Sequence, residues 1–371
     1  VKIKRHSAAL GLVAASALLL SACGSDNAAQ DANGDSGSTG GEPTSAECGG
    51  VDQIVAEGAS SQANAIDEFA AVFSGECAGQ SLAYNPNGSG SGRRQFIAGQ
   101  VMFAGSDSAM DEEERAQAEE RCGSPAWHLP LVFSPVAVTY NLPGVDELVL
   151  PSEVVAHIFN GTITTWDDEA IAAANEGVEL PDTPITVFYR SDESGTTGNF
   201  QDYLTVGTNG AWTQGEGETF AGGVGEGRGQ SQGVAEAVSS TEGGITYVEV
   251  SFANNADLGI AQIDTGSGPV PLTDETVGAA ITGAEITGEG NDLTIDLESV
   301  FGTTEAGAYP ITMATYEIVC SEYEDPEVAA GVKSFLSVAA TTGQENLSEI
   351  GYTPLPAEFQ ERLLTAIDEI A

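Results

Sequence analysis

The chain has 371 residues, 41% of them hydrophobic, and a mean hydropathy of −0.06. That is enough apolar material for about two ordinary domains, and it excludes an intrinsically disordered acidic tail. With 56 Asp or Glu against 11 Lys or Arg, the formal net charge is −45, which makes nucleic acid and anionic membrane surfaces poor partners.

The first 22 residues stand apart. Lys2, Lys4 and Arg5 precede the apolar run Ala8–Leu20 and then Ser21-Ala22-Cys23, the layout of a secretory signal and too short for a spanning helix. Leu20-Ser21-Ala22-Cys23 resembles a bacterial lipobox, in which the cysteine is lipidated and becomes the mature N-terminus. Residues 1–22 are therefore expected to be a lipoprotein signal peptide, and Cys23 the anchor of a protein facing outward from the cell membrane. Gly24–Glu47 has no large apolar residue. Residues 23–47 read as a flexible tether, whose 24 residues after Cys23 span roughly 25–30 Å at about 5–6 Å × √n.

Beyond it, short β-rich runs alternate with helical patterns, which predicts α/β layering. SLAYNP, VMFAGS, LVFSPVAVTYN, ITVFYR, GITYVEV and ITMATYEIV read as strands. Ile66, Phe69, Ala70 and Phe73 share one helix face, as do Val328, Val332, Phe335 and Leu336 behind Asp325-Pro326 as cap and first residue. A last helix carries Phe359, Leu363, Leu364, Ile367 and Ile370. The Gly-rich stretch 208–233 reads as a long loop entering a helix near Val234, and its glycines do not fit a dinucleotide fingerprint.

Four cysteines remain, Cys48, Cys77, Cys122 and Cys320. Outside the cytoplasm an even number suggests two disulfides, with three pairings open. Cys48–Cys77 with Cys122–Cys320 is favoured, since each can join neighbouring elements of one domain. Their spacing fits no zinc motif, and no metal or cofactor is expected. His128 and His157 lie in no recognisable base motif and read as packed or surface residues.

Three places share one design, a strand, a loop of small hydroxyl and glycine residues, then a helix: EGASSQANAI from Glu57, NPNGSGSGRRQF from Asn85 and RSDESGTTGNF from Arg190. Each offers unpaired N–H groups and hydroxyls at a helix N-terminus, a general anion receptor, although N-capping alone explains many such residues. Arg190 is one of only eight basic residues beyond Arg5, with Arg93, Arg94, Arg115, Arg121, Arg228, Lys333 and Arg362. At a strand end it presents a planar fork to an oxyanion, steadied by Asp192; the alternative is a surface ion pair worth little. Asp107, in MFAGSDSAM, would repel an anion unless the anion carries a proton. Hydrogen phosphate does and sulfate does not, so an aspartate acceptor selects phosphate; the alternative is a plain turn residue.

With these loops assembled, the chain resembles the phosphate-binding component of phosphate-specific ABC importers, from about Cys48 to the C-terminus. FNGTITTWDDEAIAAANEGVELP, YRSDESGTTGNFQDYL, GGITYVEVSFA and GYTPLP carry the resemblance. It implies an α/β, two-lobed periplasmic-binding-protein fold of type II, each lobe a mixed sheet flanked by helices, with the ligand cleft between lobes. LVFSPVAVTYNLPG would be the first crossing and the approach to YPITMATYEI the return. The expected division is 48–136 for the first part of lobe I, 137–306 for lobe II and 307–371 for the return of lobe I. By the same resemblance Arg190, Ser194, Gly195 and Thr196 surround phosphate, Ser89 is the serine of the Gly-Ser loop, and Asp107 accepts the phosphate proton. The first loop departs from the family's Ala-Thr-Phe-Pro: here Ala59-Ser60-Ser61-Gln62 stands instead, Ser60 keeping the hydroxyl and Ser61 offering its backbone N–H. The function implied is delivery of inorganic phosphate to membrane permease subunits by hinge closure, by a monomer without enzymatic activity. The rivals are a binder of sulfate or molybdate, and a secreted phosphate-ester hydrolase using Ser89, Ser194 or Thr196 as nucleophile.

Overall fold

A computed structural model describes residues 47–282 and 284–371. The signal peptide, Cys23 and all but the last residue of the tether lie outside the described residues. Strand β1 (Gln53–Gly58) leads to helix α1 (Ala63–Glu76), β2 (Ser81–Asn85) to α2 (Ser89–Ile97), and β3 (Phe103–Ser106) to α3 (Glu112–Cys122). The 15-residue strand β4 (Ala126–Tyr140) follows.

Next come β5 (Val149–Pro151), α4 (Ser152–Phe159), α5 (Glu169–Ala174), β6 (Thr186–Arg190), α6 (Gly195–Gly207), β7 (Glu226–Arg228), α7 (Gln230–Ser239), β8 (Gly244–Glu249) and α8 (Val250–Asn255). Short strands β9 (Gly259–Ile260), β10 (Gln262–Asp264) and β11 (Pro269–Val270) precede α9 (Asp274–Ile281). Then β12 (Glu285–Ile286), β13 (Ile295–Asp296) and α10 (Glu298–Phe301) lead to β14 (Thr312–Cys320), α11 (Pro326–Ala340) and α12 (Ala357–Asp368).

The expected strands and helices are present. Ile66, Phe69 and Phe73 are buried on α1, and Asp325 caps α11 ahead of Pro326. Ile370 is buried but lies beyond the end of α12. Helix α3 has no apolar stripe to announce it. Only Ala118 is buried there, and a reciprocal Asp111–Glu114 capping box starts it instead.

The main sheet runs β2-β1-β3-β14-β4-β8-β6-β7, with β9 added on β4. The two sets of parallel strands, β1–β3 and β6–β8, thus share one long member. From Ala126 to Pro135 β4 pairs with β14, and from Val136 to Tyr140 with β8. Because β3 is antiparallel to β14 and β4 is antiparallel to both β14 and β8, the two sets point their carboxyl ends at each other. Through β14, Ser106 at the end of β3 lies level with Pro130, while Glu249 at the end of β8 faces Val136. Loops leaving both sets therefore meet in the gap beside the middle of β4. Carboxyl ends of parallel strands are where open α/β sheets place their ligands.

One cluster packs most of the buried apolar residues of both halves, Phe69, Phe103 and Phe335 on one side, Phe159, Phe200 and Tyr247 on the other. Two disulfides join Cys48 to Cys77 and Cys122 to Cys320. The second ties the end of α3 to the end of β14, so that the whole far half of the sheet hangs between its two sulfurs.

Candidate functional site

Three helix starts converge on the gap. Gly58 ends β1 at φ +146°, and a Cβ there would fall 2.0 Å from the Gly105 carbonyl oxygen, so only glycine lets β1 and β3 approach so closely. The chain then turns through Ser60, Ser61 and Gln62, all buried, into α1. Ser89 opens α2 and is fully buried. Ser194 caps α6, its Oγ accepting from the Thr197 N–H at 3.3 Å.

Asp107 is the meeting point. Its Oδ1 accepts from Ser61 Oγ at 2.6 Å and from Thr315 Oγ1 at 2.8 Å, and its Oδ2 from Ser89 Oγ at 3.2 Å. Ser89 Oγ in turn accepts the Asp107 N–H at 3.1 Å and, from the other half of the sheet, the Gly195 N–H at 3.3 Å. Asn199 Nδ2 donates to the Asp107 carbonyl at 2.8 Å. The β4–β14 register shifts between Thr315 and Tyr316. Tyr316 pairs with Ser106 at the end of β3, so its neighbour Thr315 falls beside Asp107. Burial pushes the Asp107 carboxyl up to about 6; the Ser61 bond pulls against that, Glu249 adds to it, and Thr315 and Arg190 also hold it down.

Arg190 ends β6 and is 2% exposed, which excludes the surface ion pair. Nε donates to Asp192 Oδ1 at 2.9 Å and Nη2 to Asp192 Oδ2, a two-point fork that fixes the guanidinium plane. Nη1 donates to Ser231 Oγ at 3.1 Å and to Thr196 Oγ1 at 3.5 Å. Burial opposes the charge, but Asp192 keeps the guanidinium protonated, and Arg190 holds the Asp192 carboxyl below the usual range against its own burial. Ser60 Oγ lies 3.2 Å from Ser231 Oγ and accepts the Ser231 N–H at 3.1 Å, a second direct bridge between the sheet halves.

All eight expected contact residues, Ser60, Ser61, Ser89, Asp107, Arg190, Ser194, Gly195 and Thr196, are therefore buried at the facing strand ends. The Ser61 hydroxyl, which had no role in the expected site, donates to Asp107. Four further groups were missed: Ser231, Asn199, Thr315 and Glu249. Glu249 is fully buried and accepts from Thr196 Oγ1 at 2.6 Å. A lone acid in the apolar run GITYVEV was the available signal, as was Glu317 in ITMATYEIV. Ser231 and Thr315 carried none, being ordinary residues brought in by pairing across long sequence distances.

The same geometry bears on nucleophilic chemistry. Ser89 and Thr196 hydroxyls give their protons to carboxylates, and Ser194 is an N-cap. His128 is fully buried, with Nδ1 2.8 Å from Asp292 Oδ1 and Nε2 accepting the Met110 N–H at 3.0 Å, so both ring nitrogens are occupied away from these hydroxyls. Among the described residues no group of three or more His, Cys, Asp or Glu is arranged to hold a metal ion.

Two lobes sharing a long strand, with buried polar side chains meeting at the facing strand ends, define the class. Residues 43–342 match the PBP superfamily domain. The chain is 48% identical to the phosphate-binding protein PstS 3 of Mycobacterium tuberculosis and to that of Mycobacterium leprae, in each case over the full length of both chains. It is 46% identical to PstS2 of Mycobacterium bovis, again over both whole chains. Among solved structures it resembles a high-affinity periplasmic phosphate-binding protein bound with phosphate (TM-score 0.68, 23% identity, 84% of this chain and 93% of that one). The phosphate-binding protein of Stenotrophomonas maltophilia is similar (TM-score 0.66, 22% identity, the same coverage). This chain belongs to the PstS family of phosphate-binding proteins.

Proposed function

We propose that the protein is an extracytoplasmic phosphate-binding protein that delivers inorganic phosphate to the permease of an ABC importer. The observation that carries this is the convergence of Arg190, the starts of α2 and α6, and Asp107 on one buried spot between two sheet halves. Amide and hydroxyl donors with one guanidinium suit an oxyanion, and the single carboxylate at their centre suits one that retains a proton. Phosphate bridges the lobes, water leaves, and the hydrogen bonds strengthen in the drier cleft.

In this reading Ser60, Ser61, Ser89, Asp107, Arg190, Ser194, Gly195 and Thr196 contact the anion, and Asp192 orients Arg190. The lobes divide at 48–136, 137–306 and 307–371, with β4 and the approach to β14 as the crossings. Cys23 carries the lipid that tethers a monomer to the outer face of the membrane, and the protein performs no catalysis. Support comes from the family, from the occupied hydroxyls and histidine, and from the lipobox pattern.

The test is thermal unfolding of protein stripped of ligand. Phosphate at 100 times its Kd adds about 2.7 kcal/mol to stability, raising Tm, while sulfate or molybdate at the same concentration leaves Tm unmoved. Stabilisation by sulfate or molybdate instead identifies a different oxyanion binder, and turnover of a chromogenic phosphate ester identifies a hydrolase.

A further inference from the structure

The Arg93 side chain hydrogen-bonds none of the proposed anion ligands, yet it touches both sides of the cleft. It lies on α2, 6% exposed. Its Nε donates to Glu114 Oε1 and Oε2 at 3.0 and 2.9 Å, and Nη1 to Ser106 Oγ at 3.0 Å. Nη1 and Nη2 also reach the two oxygens of Glu218 at 2.8 and 3.0 Å. Ser106 immediately precedes Asp107, and its hydroxyl donates to the Ser108 carbonyl at 2.6 Å and accepts the Ser108 N–H at 3.3 Å. The turn that carries Asp107 is thus pinned to Arg93.

Glu218 belongs to the other half, in the loop between α6 and β7, and its carbonyl accepts the Ser194 N–H at 3.1 Å. The cap of α6 is thereby pinned to the residue that Arg93 grips. Next along α2, Arg94 pairs with Glu193, whose carbonyl accepts the Gly90 N–H at 3.4 Å. Two of the chain's 11 basic residues are adjacent and both face acids of the opposite lobe.

We infer that Arg93 and Glu218 form a closure clasp, a positioning pair that holds Asp107 and Ser194 across the cleft without meeting the anion. The inference rests on the phosphate-binding reading. An ion pair within one lobe stabilises open and closed forms alike, whereas a pair spanning the cleft adds only to the closed form and so acts on ligand release. The buried, two-point geometry makes it strong enough to matter. Glu218 is the informative position, because without it Arg93 keeps Glu114 and Ser106 as partners and the first lobe loses no internal bond.

The experiment compares Glu218→Gln with wild type in the full chain, by stopped-flow phosphate release and by melting with and without phosphate; Arg93→Lys, which keeps the charge and loses the fork, is the second variant. The clasp predicts release roughly tenfold faster or more in Glu218→Gln, with little change in association rate. It also predicts a smaller phosphate-induced rise in Tm, an unchanged ligand-free Tm, an unchanged preference for phosphate over sulfate, and an intermediate release rate for Arg93→Lys. Release at the wild-type rate overturns it, as does an equal loss of Tm with and without phosphate, which marks a merely structural pair. A wild-type protein that phosphate does not stabilise removes the binding reading itself, and the clasp with it.

Discussion

Gly195 lies directly against Asp107: a Cβ placed on Gly195 would sit 2.6 Å from the Asp107 Cβ and 2.7 Å from Ser89 Oγ. The start of α6 can therefore meet the Asp107 turn only because residue 195 has no side chain. Its φ lies outside the left-handed region, so alanine suits the backbone and the whole penalty falls on apposition of the lobes. Gly195→Ala is expected to weaken phosphate binding by about 1–3 kcal/mol, roughly five- to 150-fold, as overpacking commonly costs. Ligand-free Tm should stay close to wild type. Calorimetric titration and a melt of the same preparation check both.

Asp107→Asn replaces an acceptor with an amide that also donates. Phosphate should lose roughly 1–3 kcal/mol of binding and sulfate should gain, since sulfate no longer faces a carboxylate. Wild type should drift the same way with acid. Asp107 titrates at about 6, and below that pH its carboxyl donates. Sulfate affinity is therefore expected to rise as pH falls from 8 to 5 in wild type and to stay flat in Asp107→Asn. Isothermal titration with sulfate across that range measures it.

Glu317, on β14 beside Gln62, is fully buried, and neither carboxyl oxygen has a hydrogen-bond partner; Gln62 Oε1 lacks one too. Burial pushes its carboxyl up to about 8; the neighbouring Gln62 amide, which makes no full hydrogen bond with it, offsets this only in part, and Asp107 adds to it. Because the folded pKa exceeds the ordinary value of 4.5, folding takes up a proton at pH values between the two. The Glu317 contribution to stability is thus full below about pH 4.5 and falls as pH climbs toward 8, then levels off. Glu317→Gln removes that cost. It should match wild type near pH 4 and exceed it by a few kcal/mol at pH 9, at about 1.4 kcal/mol per pK unit. Urea unfolding at the two pH values reads the difference.

Cys122 and Cys320 are 198 residues apart in sequence. Closing a loop of that length removes about 5 kcal/mol of unfolded-state entropy in the chain-entropy picture, more than the short Cys48–Cys77 loop provides. A Cys122→Ser/Cys320→Ser variant should lose several kcal/mol of stability and more than Cys48→Ser/Cys77→Ser. Its phosphate affinity should be unchanged, because the bond lies at the strand ends away from the gap. Parallel denaturant melts and titrations test this.

The three strand–loop–helix turns were legible in the sequence because each is a local event, a strand ending in glycine and hydroxyl residues before a helix. Their convergence was not local. Thr315 reaches Asp107 from 208 positions away, through an antiparallel pairing of β14 with β3 that no local pattern announces. Arg93 could be counted as a rare cation, yet its partner Glu218 sits in a Gly-rich loop without apolar pattern. Ser61 looked dispensable as a side chain because its hydroxyl's partner lies 46 residues on, at the end of another strand. The short strands β9 to β13 escaped notice for a similar reason. At two or three residues each, they exist by pairing with neighbours rather than by propensity.

Competition calorimetry on ligand-stripped wild-type protein at pH 8 asks whether the cleft takes an oxyanion that brings its own proton to Asp107. Phosphate should bind at micromolar concentration or below, with one site per chain, and a large excess of sulfate should leave that isotherm unaltered. An absence of heat from phosphate at micromolar concentrations, or displacement of phosphate by equimolar sulfate, would rule out a proton-reading phosphate site at Asp107.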